Sequence, residues 1–113
     1  GRQEATSRAI AMRIWLLPEA ERDLEIGADF YVSQKAGLGI YFHDCLSSDI
    51  ESLKLYAGIH EQYRGFYRSL SKRFPFSIYY KLNAACVEIY AVLDARQDPR
   101  AIDAALDSPR TRP

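Results

Sequence analysis

The sequence predicts an α+β fold in which a helical hairpin covers one face of a small, mostly antiparallel sheet. Apolar and polar residues alternate with the period of two typical of strands in residues 12–17 and in three runs within residues 65–96. Between the first strand and these runs, apolar residues recur every three or four positions, which is the helical period. The predicted order is strand, helix, helix, three strands and a short helix, an arrangement typical of α+β domains.

The first strand leads directly into the first helix. Residues 12–17 read MRIWLL and place Met12 and Ile14 on one face of the strand. Pro18 follows at the first helical position, where proline is tolerated, and acidic residues fill the first turn, where they suit the positive end of the helix dipole. The buried stripe of this helix consists of Ala20, Leu24, Gly27, Ala28 and Tyr31.

A second helix is predicted from Ile40 to about Ala57. Gly37 and Gly39 separate it from the first helix, since glycine adopts the left-handed backbone geometry that ends helices. Its apolar stripe, which Asp49 interrupts, consists of Phe42, Cys45, Leu46, Ile50, Leu53 and Ala57. The two helices therefore form a hairpin, and residues 58–64 are expected to be a loop.

Three strands of a meander follow, over residues 66–72, 74–82 and 87–93. The middle strand has the strongest alternation, which predicts that Tyr80 lies in the core with its hydroxyl at the edge and that Tyr79 lies at the surface. In the last strand one face is expected to carry Val87, Ile89, Ala91 and Leu93. Asp98 and Pro99 end this strand, and a short helix is predicted over residues 100–106.

The chain of 113 residues is expected to form one domain over residues 12–107. Residues 1–11 are expected to be an N-terminal extension or a remnant of cloning, because Met12 is the only methionine, and residues 108–113 a flexible tail. The absence of a signal-peptide pattern and of a long apolar run favours a cytoplasmic protein without a membrane span. The two cysteines, Cys45 and Cys86, are expected to be buried free thiols, and no metal or cofactor is expected.

Charge is unevenly distributed along the chain, although the formal net charge is zero. Residues 12–59 carry four basic and eight acidic residues, whereas residues 60–100 carry seven basic and four acidic residues. The second half can therefore form a local basic patch. A neutral total argues against broad, non-specific binding of nucleic acid.

Three segments occur in an order that resembles the RelE/ParE superfamily of toxins from bacterial toxin–antitoxin modules: LLPEAERDLEIGADFY, RFPFSIYYKL and AVLDARQDP. The resemblance covers about Met12 to Ile102. It implies helices packed against one face of a twisted sheet, and a cognate antitoxin that wraps and silences the toxin. It also implies one of two targets, because RelE-like members cut messenger RNA on the ribosome and ParE-like members poison DNA gyrase.

Metal-free RNA cleavage needs a base, an acid and cations around the phosphorane that develops during the reaction. The residues that would supply these groups in a nuclease are Arg96, Arg68, Lys72, Tyr79 and Lys81. Arg96 matches the arginine that follows the last strand in RNA-cleaving relatives. The alternative for Arg96 is a simple ion pair with Asp94 or Asp98, and Arg68 and Lys72 are equally consistent with solvated strand residues. His43 and His60 are expected to have no chemical role.

The neutral charge favours the ParE-like alternative, in which the protein acts by binding gyrase and needs no catalytic set. A ribosome would demand strong positive charge, so a ribosome-dependent nuclease is the second hypothesis. A non-toxic interaction module of the same fold is the third. The antitoxin is expected to cover the exposed hairpin and the sheet, at contact residues that include Trp15, Phe30, Tyr41, Tyr56, Arg68, Lys81 and Arg96.

Overall fold

The computed structural model describes residues 12–108, and the predictions made for residues 1–11 and 109–113 lie outside this range. Within it, five strands and four helices follow one another along the chain. The strands are β1 (Arg13–Leu16), β2 (Gln62–Tyr63), β3 (Phe66–Leu70), β4 (Phe76–Asn83) and β5 (Cys86–Asp94). The helices are α1 (Pro18–Gln34), α2 (Leu38–Glu51), α3 (Leu53–Tyr56) and α4 (Pro99–Asp107).

The strands form one sheet in the order β1-β5-β4-β3-β2. β5 pairs with β1 in parallel, and the other neighbours are antiparallel. The parallel pair requires a crossover, and the helical hairpin of α1 and α2 supplies it. The predicted α+β class, with an antiparallel-rich sheet and a helical hairpin on one face, is confirmed.

The hairpin and the sheet enclose the first hydrophobic core. Its centre is a group of aromatic rings, in which Phe42 lies 4.8–5.1 Å from the ring centroids of Tyr31, Phe74 and Phe76. Two small residues allow this close packing. A Cβ atom on Gly27 would come within 2.6 Å of the Phe42 ring, and one on Gly39 would come within 2.7 Å of the Ala28 carbonyl oxygen.

The opposite face of the sheet is covered by the short helix α4, which forms a second core. Ile102 and Leu106 of α4 pack there with Leu17, which follows β1, and with the sheet residues Phe66, Tyr79, Tyr90, Ala91 and Leu93. A β-bulge decides which residues of β5 belong to this face. Tyr79 pairs with Ala91 while Tyr80 pairs with Ile89, so Tyr90 is an extra residue without a counterpart on β4.

The bulge corrects the predicted pattern of the last strand. Val87 and Ile89 lie in the hairpin core as expected, but Ala91 and Leu93 lie in the α4 core, and Val92 takes the place expected for them. One inserted residue reverses the alternation of every residue that follows it, because successive side chains of a strand point to opposite faces.

Three smaller predictions also differ from the structure. The second helix is interrupted at Ser52, and the expected loop of residues 58–64 contains the edge strand β2. Cys45 and Cys86 are free thiols, but both are partly exposed rather than buried. Asp49 is buried within the apolar stripe because its carboxylate accepts hydrogen bonds from the Ser71 hydroxyl (2.6 Å) and the Lys72 backbone N–H (3.2 Å).

Candidate functional site

Polar contacts hold α4 against the sheet and build one wall of a cavity. The Tyr63 hydroxyl donates to the Asp103 carboxylate at 2.6 Å, and the Arg64 guanidinium pairs with Asp107. At the start of α4, the Asp98 side chain caps the helix by accepting from the Arg100 backbone N–H at 2.8 Å. The Tyr63 and Arg64 contacts tie the C-terminal helix to the edge of the sheet at β2.

Beside α4 lies a cavity of about 470 Å³ that combines charged, hydroxyl and apolar groups. It is lined by His60, Glu61, Arg68, Leu70, Ser77, Tyr79, Ala95 and Ile102. Tyr79 was predicted at the surface, and this prediction is wrong, because the side chain is 1% exposed. α4 covers the second face of the sheet, so the side of β4 that alternation assigned to solvent is also interior.

Arg68 projects into this cavity in a network of polar and aromatic groups. Its guanidinium forms an ion pair with the Glu61 carboxylate and lies 4.7 Å from the centroid of the Tyr63 ring. The Glu61 hydrogen bond, with a further contribution from Tyr79, raises the pKa of Arg68. Arg68 and Tyr79 are therefore two predicted nuclease residues that the fold does bring together.

Arg96 lies at the end of the sheet and is engaged by Asp94. Its guanidinium makes hydrogen bonds of 3.0 and 2.8 Å to the two carboxylate oxygens, and its backbone N–H donates to the same side chain at 2.8 Å. This pairing lowers the pKa of Asp94 and raises the pKa of Arg96. The simpler of the two expectations for Arg96, an ion pair with Asp94, matches this geometry.

The other two cations lie apart from this cavity. Lys72 follows β3 and lines a separate cavity with α2 residues such as Tyr41 and Asp44. Lys81 lies over the Phe66 and Tyr90 rings, with its Nζ atom 4.8 and 5.3 Å from their centroids. On β4, Lys81 is five residues from Phe76, the partner of Asp94. At about 3.3 Å per strand residue, roughly 16 Å separates these two positions, so the five predicted catalytic residues do not converge.

His60, for which the sequence suggested no chemical role, makes a close contact with a buried tyrosine. The Tyr80 hydroxyl accepts from the Gly58 backbone N–H at 2.8 Å and lies 2.6 Å from His60 Nδ1. With the amide donating to the hydroxyl oxygen, the phenolic proton can be donated to Nδ1 of a neutral imidazole. The prediction that Tyr80 lies in the core with its hydroxyl at the edge agrees with this arrangement.

Burial lowers the pKa of His60 below its usual value of about 6.5. The unfolded chain therefore binds a proton before the folded protein does, so stability from His60 is complete above about pH 6.5 and declines as pH falls below it. We expect the unfolding midpoint of His60→Gln to change less between pH 7.5 and 5.5 than that of the wild type. Urea titrations measure this, with the exposed His43→Gln as control; equal pH dependence in all three proteins would contradict it.

Exposed apolar residues form a second candidate surface on the helical hairpin. Ile26 and Phe30 of α1 are 61% and 49% exposed and line a groove of about 350 Å³ with Val92 and Leu93 of β5. The groove is bordered by Asp23 and by Asp94, which forms the ion pair with Arg96. Of the predicted partner contacts, Phe30, Tyr41 and Tyr56 are exposed, whereas Trp15 is half-buried in β1.

The outer edge of β5 has no partner strand among the described residues along this groove. β1 pairs only with residues Cys86 to Ile89, and no described strand pairs with β5 beyond that point on the same side. There the Asp23 carboxylate of α1 accepts a hydrogen bond from the Val92 backbone N–H at 3.0 Å. A side chain therefore occupies a backbone donor that a further strand would otherwise use.

The part of the chain that the structure describes holds neither a metal-binding cluster nor a helix that could span a membrane. No three of the His, Cys, Asp and Glu side chains in residues 12–108 are grouped so that they can hold a metal ion. Within the same residues, every helix is too short or too polar to cross a membrane.

Comparison with known proteins identifies the fold. No protein-family model and no curated protein matches the sequence. Among solved structures, the chain is similar to one described as "Chromosomal ParDE TA system from P. aeruginosa", with a TM-score of 0.67 and 18% sequence identity. The match covers 76% of this chain and 98% of that chain. The protein therefore has the fold found in that ParDE chain, and the fold implied by the sequence resemblance is confirmed.

Proposed function

We propose that the protein is the toxin of a type II toxin–antitoxin module, that it acts in the cytoplasm by binding DNA gyrase, and that a cognate antitoxin neutralises it. The main support is the likeness of its fold to a chain of a ParDE system, over nearly the whole of that chain. The zero net charge supports a protein target, because binding to a protein does not require the broad cationic surface that binding to nucleic acid would require.

The positions of the cations support binding rather than RNA cleavage. A phosphorane needs several charges preorganised around one point, whereas Arg96 is held by Asp94 and Lys81 lies over two aromatic rings. Lys72 lies beside α2, away from Arg68. Ribosome-dependent cleavage of messenger RNA remains the second candidate, and the observation in its favour is that Arg68 and Tyr79 line one cavity.

The groove between α1 and β5 is the surface that we assign to the antitoxin. Its lining is largely apolar, so it suits an antitoxin segment that presents apolar side chains. The exposed Phe30 supplies the aromatic anchor that is common at protein interfaces.

Expression in a bacterial host tests toxicity directly. We expect the chain alone to stop growth, and co-expression of the antitoxin encoded beside its gene to restore it. The untransformed host and a chain with the buried Phe42→Ala substitution serve as controls. Normal growth during confirmed expression of the folded protein would exclude both toxin hypotheses and leave only the non-toxic interaction module.

Purified components then separate the two targets. If the protein binds gyrase, it inhibits supercoiling or accumulates the cleaved DNA complex at stoichiometric concentrations, and the antitoxin reverses the effect. In a parallel reaction with translating ribosomes, the message stays intact. Cleavage of ribosome-bound message without any effect on gyrase would overturn the proposal in favour of the nuclease.

A further inference from the structure

The cavity beside α4 contains polar groups to which the proposed gyrase inhibition assigns no role. The Arg68 guanidinium and the Ser77 and Tyr79 side chains enter it from β3 and β4, and Ile102 of α4 forms an apolar wall. Its volume, about 470 Å³, lies within the range of roughly 300–1,000 Å³ typical of small-molecule sites. The cavity is thus large enough for a ligand of modest size.

The carboxylate of Glu61 occupies the position at Arg68 where an anion can bind in this cavity. Its side chain is 66% exposed and pairs with Arg68, whose side chain is only 30% exposed. The guanidinium is fixed on its other side by the Tyr63 ring, whereas the carboxylate sits on a chain segment outside the regular strands. Arg68 is therefore a held cation, and Glu61 is a solvent-accessible carboxylate that another oxyanion can replace.

Two buried hydroxyl groups complete the polar side of the cavity. Ser77 is 2% exposed and lines the cavity, and no hydrogen bond to its hydroxyl is found among residues 12–108. Tyr79 is the cross-strand partner of Arg68 on β4 and contributes to the raised pKa of Arg68. Because the Ser77 and Tyr79 side chains both line the cavity, an oxyanion bound within it can accept hydrogen bonds from their hydroxyl groups.

We propose that this cavity binds a small molecule that carries a phosphate or carboxylate group on an apolar body. The oxyanion takes the place of Glu61 at Arg68 and accepts from the Ser77 hydroxyl. The apolar body lies against Ile102 and the exposed Leu70. The proposal does not rest on the gyrase function, and it concerns the face of the sheet opposite the groove that we assign to the antitoxin.

Isothermal titration with phenyl phosphate, benzoate and the neutral phenol tests the site. We expect one or both anions to bind and phenol not to bind, and the tighter of the two anions identifies the preferred oxyanion. Glu61→Gln removes the competing carboxylate and should tighten binding about threefold or more. Arg68→Gln should weaken it at least tenfold, and Ser77→Ala should weaken it severalfold.

Lys81→Gln is the matched control, because Lys81 lies on the same strand as Ser77 and Tyr79 but does not line the cavity. The affinity of the Lys81→Gln variant for the two anions should equal that of the wild type. Thermal unfolding of each variant establishes that it is folded. The Glu61→Gln variant is expected to gain affinity, and a loss of stability cannot produce such a gain. Absence of binding by both anions, equal binding of phenol, or unchanged affinity in Glu61→Gln would each overturn the proposal.

Discussion

Replacing Phe42 by alanine is expected to lower the free energy of unfolding by about 3–5 kcal/mol, which is the usual cost of removing a buried phenylalanine. The side chain is fully buried and lies at the centre of the aromatic group formed with Tyr31, Phe74 and Phe76. Three elements enclose it, namely α1, α2 and the start of β4. The cavity left behind cannot close without moving the helical hairpin relative to the sheet.

Urea unfolding followed by circular dichroism measures this loss, and Ile40→Ala is its matched control. Ile40 lies on the same helix two residues away and is 71% exposed, so its truncation should change stability by less than about 0.5 kcal/mol. Similar losses for the two variants would contradict the placement of Phe42 at the centre of the core.

Replacing Phe30 by alanine is expected to weaken the affinity of the protein for the antitoxin by about 30-fold or more. This corresponds to the loss of an aromatic anchor that contributes at least about 2 kcal/mol to binding. The ring is half exposed and borders the groove between α1 and β5. Its truncation is expected to leave the fold intact because Phe30 belongs to neither hydrophobic core. Titration calorimetry of the purified toxin variant with the antitoxin measures the change.

Ile59→Ala provides the comparison for this experiment. Ile59 is 73% exposed and follows α3, and it does not line the groove. We expect its affinity for the antitoxin to match that of the wild type. If Ile59→Ala weakens binding and Phe30→Ala does not, the antitoxin covers a different surface and the groove assignment is wrong.

Local sequence patterns predicted most of the fold. Pro18 and the acidic first turn define the start of α1, and the helix begins and ends where the pattern predicts. The three strands of the meander and the final helix also match their predicted segments within a few residues. These elements were accessible because proline, glycine and apolar periodicity act on the chain locally.

The candidate site was predicted less completely. Phe30, Tyr41 and Tyr56 were recognised as surplus apolar surface, and all three are exposed. The cavity beside α4 was missed, although two of its residues, Arg68 and Tyr79, were singled out for another role. The useful signal was the short amphipathic helix after Pro99, whose apolar residues Ile102 and Leu106 need a surface to cover.

The sequence alone determined the order and type of the elements other than β2 and the break at Ser52, the hairpin core, and the neutral charge that favours a protein target. Only the tertiary structure decided that both faces of the sheet are covered, that the bulge at Tyr90 reverses the end of β5, and that Arg96 and Lys81 lie far apart. The physical reason is the distance along the chain over which each kind of information acts. Periodicity reports which side of one element is apolar, whereas coverage by α4 and the distances between cations depend on how distant segments pack.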